Sequence, residues 1–347
     1  LRSIMRTKAR LRILTVDGGG VRGLIPMRVL SALERLTGTA ITDLFDVMAG
    51  TSTGAMIVLG LTAPGENGSP RYTTSDIEAV YLERGERIFP KLAVSLPRSI
   101  KELRAMLDQA GSRAAVFGSN PEIGNARYSP EGLEAEFAEF FGDLRLSEAL
   151  RPVVVTAMDM QTRLPVTFSS AAAQQDPAQD LLMRDALRAT TAAPTYFPPL
   201  RMDWNGVDDR ILIDGGVFAK NPALIGYVAG LQQAPDISRR DIIVVSLGTG
   251  IPHYQAIDYE EYIGRNWIRL AQDVFNAAEE GEDHLQDNLL RDLLGERYWR
   301  FQTSLEGASI DMDDVSSGNV AALVRIGDAL VGRRLEDLKR LSDLLVR

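Results

Sequence analysis

Two short stretches of this chain carry residue types that can attack a carbonyl group. The first is Gly50-Thr51-Ser52-Thr53-Gly54, which fits the pattern G-x-S-x-G between an apolar strand-like segment (FDVMA) and a helix-like one (AMIVLGL). In a strand–turn–helix context, flanking glycines let the turn close sharply, so the serine oxygen projects at the helix N-terminus as a nucleophile. The second is Ile213-Asp214-Gly215-Gly216, again at the end of a strand-like run. An aspartate there could simply cap a turn. Beside an exposed serine it is a candidate base, because a carboxylate can accept the serine proton as the nucleophile attacks.

A third motif lies upstream. Asp17-Gly18-Gly19-Gly20-Val21-Arg22-Gly23 follows one strand and precedes one helix. Adjacent glycines allow close backbone approach, and their N–H groups at a helix start can face a negative charge. The segment thus reads as an anion pocket able to stabilise an oxyanion, with Gly50 and Gly54 as the glycines of the elbow. Gly18, Gly20 and Gly23 also satisfy G-x-G-x-x-G. The dinucleotide reading of that pattern expects an acidic residue at the end of the second strand, and here that strand runs into the Ser52 turn instead.

The chain has two histidines, His253 and His284. Ser52, Asp214 and His253 follow the chain order of an α/β-hydrolase triad. In that fold the nucleophile follows a strand deep in the sheet, whereas Ser52 follows the second strand. The expectation is therefore a Ser52–Asp214 pair without histidine. No HExxH, EF-hand or clustered His/Asp pattern is present, so neither a metal nor any other cofactor is expected.

These residues must be held by a sheet. Short Val/Ile/Leu-rich runs predict strands at about Arg12–Val16, Phe45–Ala49, Pro152–Ala157, Val166–Ser169, Ile211–Asp214 and Ile242–Leu247. Several are apolar at nearly every position, as strands covered on both faces are. Leu24, Met27, Leu30, Leu33 and Leu36 predict a helix that Gly38 stops. Alternating strands and helices imply an α/β sheet. Ala63–Pro70 and Pro97–Pro130 read as additions to that core, so residues 63–130 are a candidate lid or insertion. The segment Val320–Arg347 reads as amphipathic helix. Residues 12–347 form the expected single domain, after a basic tail at 1–11.

The 347 residues are 45% hydrophobic and 24% charged, ordinary values for a globular protein. A formal net charge of −9 argues against nucleic acid as a partner. The absence of cysteine excludes disulfides and thiolate chemistry. No signal peptide and no membrane span are expected from the sequence, which suits a cytoplasmic protein.

Taken together, the motifs resemble the patatin-like phospholipase family. DGGGVRG resembles its oxyanion loop, GTSTG its nucleophile elbow and DGG its aspartate motif. RATTAAPTYFPP (Arg188 to Pro199), DGGVFAKNPA, IVVSLGTG and the later RYWRFQTSL resemble further family segments. The resemblance implies a three-layer α/β/α fold with a mostly parallel central sheet, a Ser52–Asp214 dyad, and an oxyanion hole with donors from Gly18, Gly19, Gly20 and Arg22. It implies calcium-independent release of fatty acid from membrane phospholipids, at the inner face of the membrane. Lys220 stands where the family usually has Asn. Some bacterial members are anti-phage effectors switched on by a cyclic nucleotide, so a cyclic nucleotide activator and a homo-oligomer are further expectations about partners. The competing readings are an esterase for small esters or acyl-proteins, and a non-catalytic nucleotide-binding protein built on the glycine loop.

Overall fold

The computed structural model describes residues 11–90, 126–253, 257–265 and 267–346. The basic tail and most of the Pro97–Pro130 addition, including its KELRAMLDQA stretch, lie outside the described residues. Strands β1 (Leu11–Val16), β2 (Val47–Gly50), β3 (Val153–Asp159), β4 (Leu164–Ser169), β5 (Leu200–Trp204), β6 (Val207–Asp214), β7 (Ile242–Leu247) and β8 (Tyr298–Phe301) form one sheet. Its path runs β5-β6-β3-β2-β1-β7-β8, with β4 also on β3. β3, β2, β1, β7 and β8 are mutually parallel, and β4, β5 and β6 enter by antiparallel pairing. The fold is the mostly parallel three-layer α/β/α arrangement expected.

The longer helices are α1 (Leu24–Thr37), α2 (Thr53–Thr62), α3 (Thr74–Glu83), α4 (Glu131–Phe141), α5 (Met183–Thr190), α6 (Ala223–Gln233), α7 (Trp267–Leu294), α8 (Ser317–Arg333) and α9 (Leu335–Leu345). They cover both faces of the sheet, and the strands show why. Successive side chains of a strand point to opposite faces. Leu11 and Ile13 of β1, Val47 and Ala49 of β2, and Ile242 and Val244 of β7 pack with α6 and the C-terminal end of α7. Leu14, Val16, Met48, Ile243, Val245 and Leu247 point the other way, into a larger core with α1, α2, α4, α5, α8 and α9. These strands are apolar on both sides because both sides are buried.

The predicted strands are all present, Ile242–Leu247 with both ends as expected and the others with ends shifted by at most four residues. β5 and β8 were not anticipated. β5 alternates half-buried and exposed positions at the sheet edge, and its Arg201 and Asp203 hide the apolar signal. β8 is only four residues long. The helix expected over Val320–Arg347 is two helices, because Arg334 leaves helical geometry (φ −108°, ψ 18°) and the chain turns there. Ala63–Pro70 is a small closed loop, pinned by a β-bridge between Pro64 and Pro70. Among the described residues no helix is long and apolar enough to cross a membrane.

β3 organises the site. Along its whole length one edge carries β4, from Val154 paired with Ser169 to Asp159 paired with Leu164. A strand has only two edges, so β2 and β6 must share the other. β2 pairs in parallel with Val153–Val155, ending at Gly50 opposite Val155. β6 pairs antiparallel with Ala157–Asp159, ending at Asp214 opposite Ala157. The two strands run toward each other and stop one β3 residue apart.

Behind them, Arg300 of β8 ties three elements together. Its guanidinium donates to both Asp17 oxygens (2.9 and 2.6 Å), to Ser246 Oγ (2.9 Å) and to Asp283 of α7 (2.7 Å). Burial alone would pull its pKa down, but the Asp17 and Asp283 carboxylates outweigh that and push it up. Removing one partner of such a buried group leaves uncompensated charge. Arg300→Met should therefore destabilise the fold by about 3–5 kcal/mol, read as a lower urea midpoint with an unchanged slope.

Candidate active site

Ser52 lies between β2 and α2 and has φ 53° and ψ −121°. A non-glycine residue there is strained, at a cost of about 1–3 kcal/mol, and must be over-determined by its surroundings. Its amide donates to Thr190 Oγ1 at the end of α5 (2.8 Å). Thr51 is locked beside it by Thr156 Oγ1 and the Ala219 carbonyl, each at 2.7 Å. The glycines explain the sharpness of the turn. A Cβ on Gly50 would lie 2.4 Å from the Gly54 carbonyl oxygen, and one on Gly54 would lie 2.0 Å from that of Val16. The strain aims Ser52 at the N-terminus of α2, where the helix dipole favours developing negative charge on its oxygen.

Asp214 arrives from the opposite direction, at the end of β6. Its carboxylate accepts the Gly216 amide (2.7 Å) and shares a cavity with Ser52. Burial pushes its pKa up to about 7, and the Gly216 amide and the Ser52 hydroxyl oppose that only in part. A carboxylate titrating near neutrality is matched to take a proton at working pH. The space that lets the two strand ends meet is kept by Gly215, whose Cβ would lie 2.2 Å from Thr156 Oγ1.

The glycine loop divides into two parts. The Gly18 amide donates to the Lys220 carbonyl (2.9 Å), so it is committed within the protein. The Gly18 carbonyl accepts from Thr249 Oγ1 (2.7 Å), and the Gly19 carbonyl from Arg22 Nε (3.0 Å) and the Arg22 amide (3.2 Å). In a planar trans peptide the C=O and the following N–H point in opposite directions. Pinning those two carbonyls therefore turns the Gly19 and Gly20 amides the other way, and among the described residues neither has an acceptor. Gly19 and Gly20 are the available donors. Gly18 and Arg22 shape the loop, Gly18 by close approach to Ser52 (a Cβ there would be 3.4 Å from Ser52 Cβ).

Two cavities meet at Ser52. One is apolar and narrow, about 70 Å³, with Met56, Val80, Ile88, Leu133, Phe137 and Phe197 among its walls. α3, inside the predicted 63–130 insertion, and α4, just after it, supply much of that lining. The other, about 570 Å³, has apolar walls from Ala193, Pro194, Val217 and Met312 but gathers the charged groups Arg22, Arg127, Asp214, Lys220 and Glu279 beside Ser52, Gly18 and Gly19, and is called the polar cavity for them. Both histidines are exposed, His253 in a loop and His284 on α7, and neither lines either cavity. Among the described residues no group of His, Asp or Glu side chains is arranged to hold a metal ion.

The family model described as patatin-like phospholipase matches residues 14–227. The chain belongs to the patatin-like phospholipase family, whose members are serine lipid acyl hydrolases. Patatin-like protein 1 of Oryza sativa subsp. indica is 30% identical, over 94% of this chain and 82% of its own length. Patatin-04/09 of Solanum tuberosum is 29% identical, over 96% and 89%. Among solved structures, VipD from Legionella pneumophila aligns with 92% of this chain and 67% of its own at 12% identity and a TM-score of 0.41.

Sequence reasoning singled out Ser52, Asp214 and the glycine loop, and the fold of this patatin-like phospholipase brings them together. It passed over Thr190, Thr249 and Met312. The first two lie in segments that the resemblance included, RATTAAPTYFPP and IVVSLGTG, without roles attached. Met312 accepts the Val21 amide (2.9 Å) and covers Gly20, which no pattern signals. Thr249→Val removes the donor that fixes the Gly18 carbonyl. It should lower kcat by about 10- to 100-fold with KM little changed, as for a weakened oxyanion donor. Thr249→Ser should recover most of the rate.

Proposed function

We propose that this protein is a phospholipase A-type lipid acyl hydrolase working through a Ser52–Asp214 dyad. The observation that carries the reading is the meeting of Ser52 and Asp214 on one cavity, where two strands end one β3 residue apart, with no acceptor for the amides of Gly19 and Gly20 among the described residues. Ser52 Oγ attacks the ester carbonyl carbon while Asp214 accepts its proton. The carbonyl oxygen becomes the oxyanion facing Gly19 and Gly20. Collapse expels the alcohol, which takes the proton from Asp214 and leaves an acyl-serine. Water, deprotonated by the same carboxylate, then releases the fatty acid.

The paired cavities favour a lipid over a small ester. An acyl chain is apolar along its length, and the narrow cavity is apolar and runs from Ser52 between α2, α3 and α4. The polar cavity is left for the rest of the substrate. Membrane phospholipids at the inner leaflet are the substrate on this reading, reached by peripheral contact. The cyclic-nucleotide-triggered form of the activity rests on the sequence resemblance. Liposome hydrolysis at full rate without added nucleotide would remove it.

Ser52→Ala and Asp214→Asn should each lower fatty-acid release from phosphatidylcholine liposomes by about 10³-fold or more, as loss of a nucleophile or its base does. Wild-type rates in both variants would defeat the dyad. His253→Asn should stay within about twofold of wild type, since an exposed loop residue away from both cavities has nothing to contribute.

The pH profile follows from the raised Asp214 pKa. Only the carboxylate can accept the serine proton, so kcat/KM should rise with pH through about 7 and level off above it. A rate independent of pH between 5 and 8 would assign the base elsewhere.

A further inference from the structure

Lys220 is the group in the polar cavity that the hydrolytic chemistry leaves unused. It follows the short helix Gly216–Ala219, six residues after Asp214, and its carbonyl holds the Gly18 amide. Its side chain is only 15% exposed and lines the 570 Å³ cavity together with Ser52, Asp214 and Gly19. An ammonium has three N–H donors. Among the described residues Lys220 Nζ makes no hydrogen bond, and its ionic contact is Glu279 Oε2 at 3.6 Å, outside hydrogen-bonding distance. Arg127, on the same cavity, is already spent on Asp313 at 2.5 Å.

Enclosing an ammonium without filling its donors is expensive. Burial pushes the Lys220 pKa down and Arg22 adds to that, while the Glu279, Asp17 and Asp283 carboxylates oppose it. The Lys220 donors nevertheless stay unfilled, and Arg22 lines the same cavity. That cavity reaches Ser52, where the apolar slot also ends. A substrate with its acyl chain in the slot has its remaining polar part in this cavity. In a glycerophospholipid that part carries a phosphodiester a few bonds from the scissile carbonyl, and its oxygens are strong acceptors for an ammonium.

Resting on the Ser52-dependent hydrolysis argued above, we propose that Lys220 is the residue that recognises the phosphoryl group of the substrate, and that it selects phospholipids over neutral acylglycerols. The ammonium reaches the phosphoryl oxygens from the wall next to the oxyanion loop, so the head group and the carbonyl are oriented by one stretch of chain. Glu279 on α7 holds the ammonium in the empty site and gives it up to the phosphate.

The test compares phosphatidylcholine with diacylglycerol of the same acyl chains, in the same mixed micelles, for wild type, Lys220→Met, Lys220→Arg and Ser52→Ala. A lost hydrogen bond to a charged group corresponds to about 10- to 100-fold in affinity. Lys220→Met should therefore reduce the phospholipid-to-diacylglycerol ratio of kcat/KM by about tenfold or more, mainly through KM, and Lys220→Arg should restore most of the ratio. sn-Glycero-3-phosphocholine should inhibit diacylglycerol hydrolysis by wild type and inhibit Lys220→Met much less. Equal losses on both lipids would make Lys220 a structural tie to α7 and overturn the proposal, as would an unchanged ratio. Inorganic phosphate inhibiting as well as glycerophosphocholine would assign the site to free phosphate and overturn the head-group role. Undiminished hydrolysis by Ser52→Ala defeats the dyad instead, whatever the Lys220 variants do.

Discussion

The edge of β3 that carries two strands is the constraint from which the site follows. β4 occupies one edge of β3 completely, so β2 and β6 divide the other. Because β2 is parallel to β3 and β6 antiparallel, their C-terminal ends face each other across Thr156. Residues 162 positions apart in the chain thereby come together on one cavity without any flexible loop between them and the sheet. Backbone ladders hold both ends, so the geometry of the serine and the carboxylate is set by the most rigid part of the molecule.

The same place gathers the strain. Ser52 sits in a backbone conformation that costs energy, and Asp214 is buried deeply enough to be held near neutrality. Both are sustained by neighbours with fully committed hydrogen bonds: Thr51 by Thr156 and Ala219, Ser52 by Thr190, Asp214 by Gly216. The stability withheld at the centre is supplied around it by two apolar cores and by the Arg300 network behind the glycine loop. A site that is unfavourable by itself persists because the surrounding fold leaves it no alternative.

Chemistry and substrate recognition are continuous here. The oxyanion loop is fixed on one side by Thr249 and Arg22, through the Gly18 and Gly19 carbonyls, and on another by the Lys220 carbonyl. The residue that braces Gly18 with its backbone places its ammonium in the polar cavity. The turn that forms the nucleophile elbow likewise opens the apolar cavity, through Thr53 and Met56 of α2. On the proposed reading, acyl chain, scissile carbonyl and polar group meet walls that belong to the same few segments.

Much of this was legible in the residues alone. G-x-S-x-G between a strand and a helix, a glycine run after β1 and an aspartate at a strand end are local patterns, and local patterns encode turns, strand ends and close backbone approach. The apolar runs of β1, β2, β3 and β7 announced strands covered on both faces for the same reason. The edge strand β5 escaped because its exposed face is charged, and four-residue β8 because it is too short for a period to show. The order Ser52, Asp214, His253 suited a histidine triad, and the sequence argued against it from the place of Ser52 after the second strand, since chain order says nothing of distance. Which carboxylate faces Ser52, which glycine amides stay free, and where Lys220 sends its charge are relations between residues far apart in the chain. Those were decided by the pairing of β2 and β6 on one edge of β3, which only the folded sheet brings about.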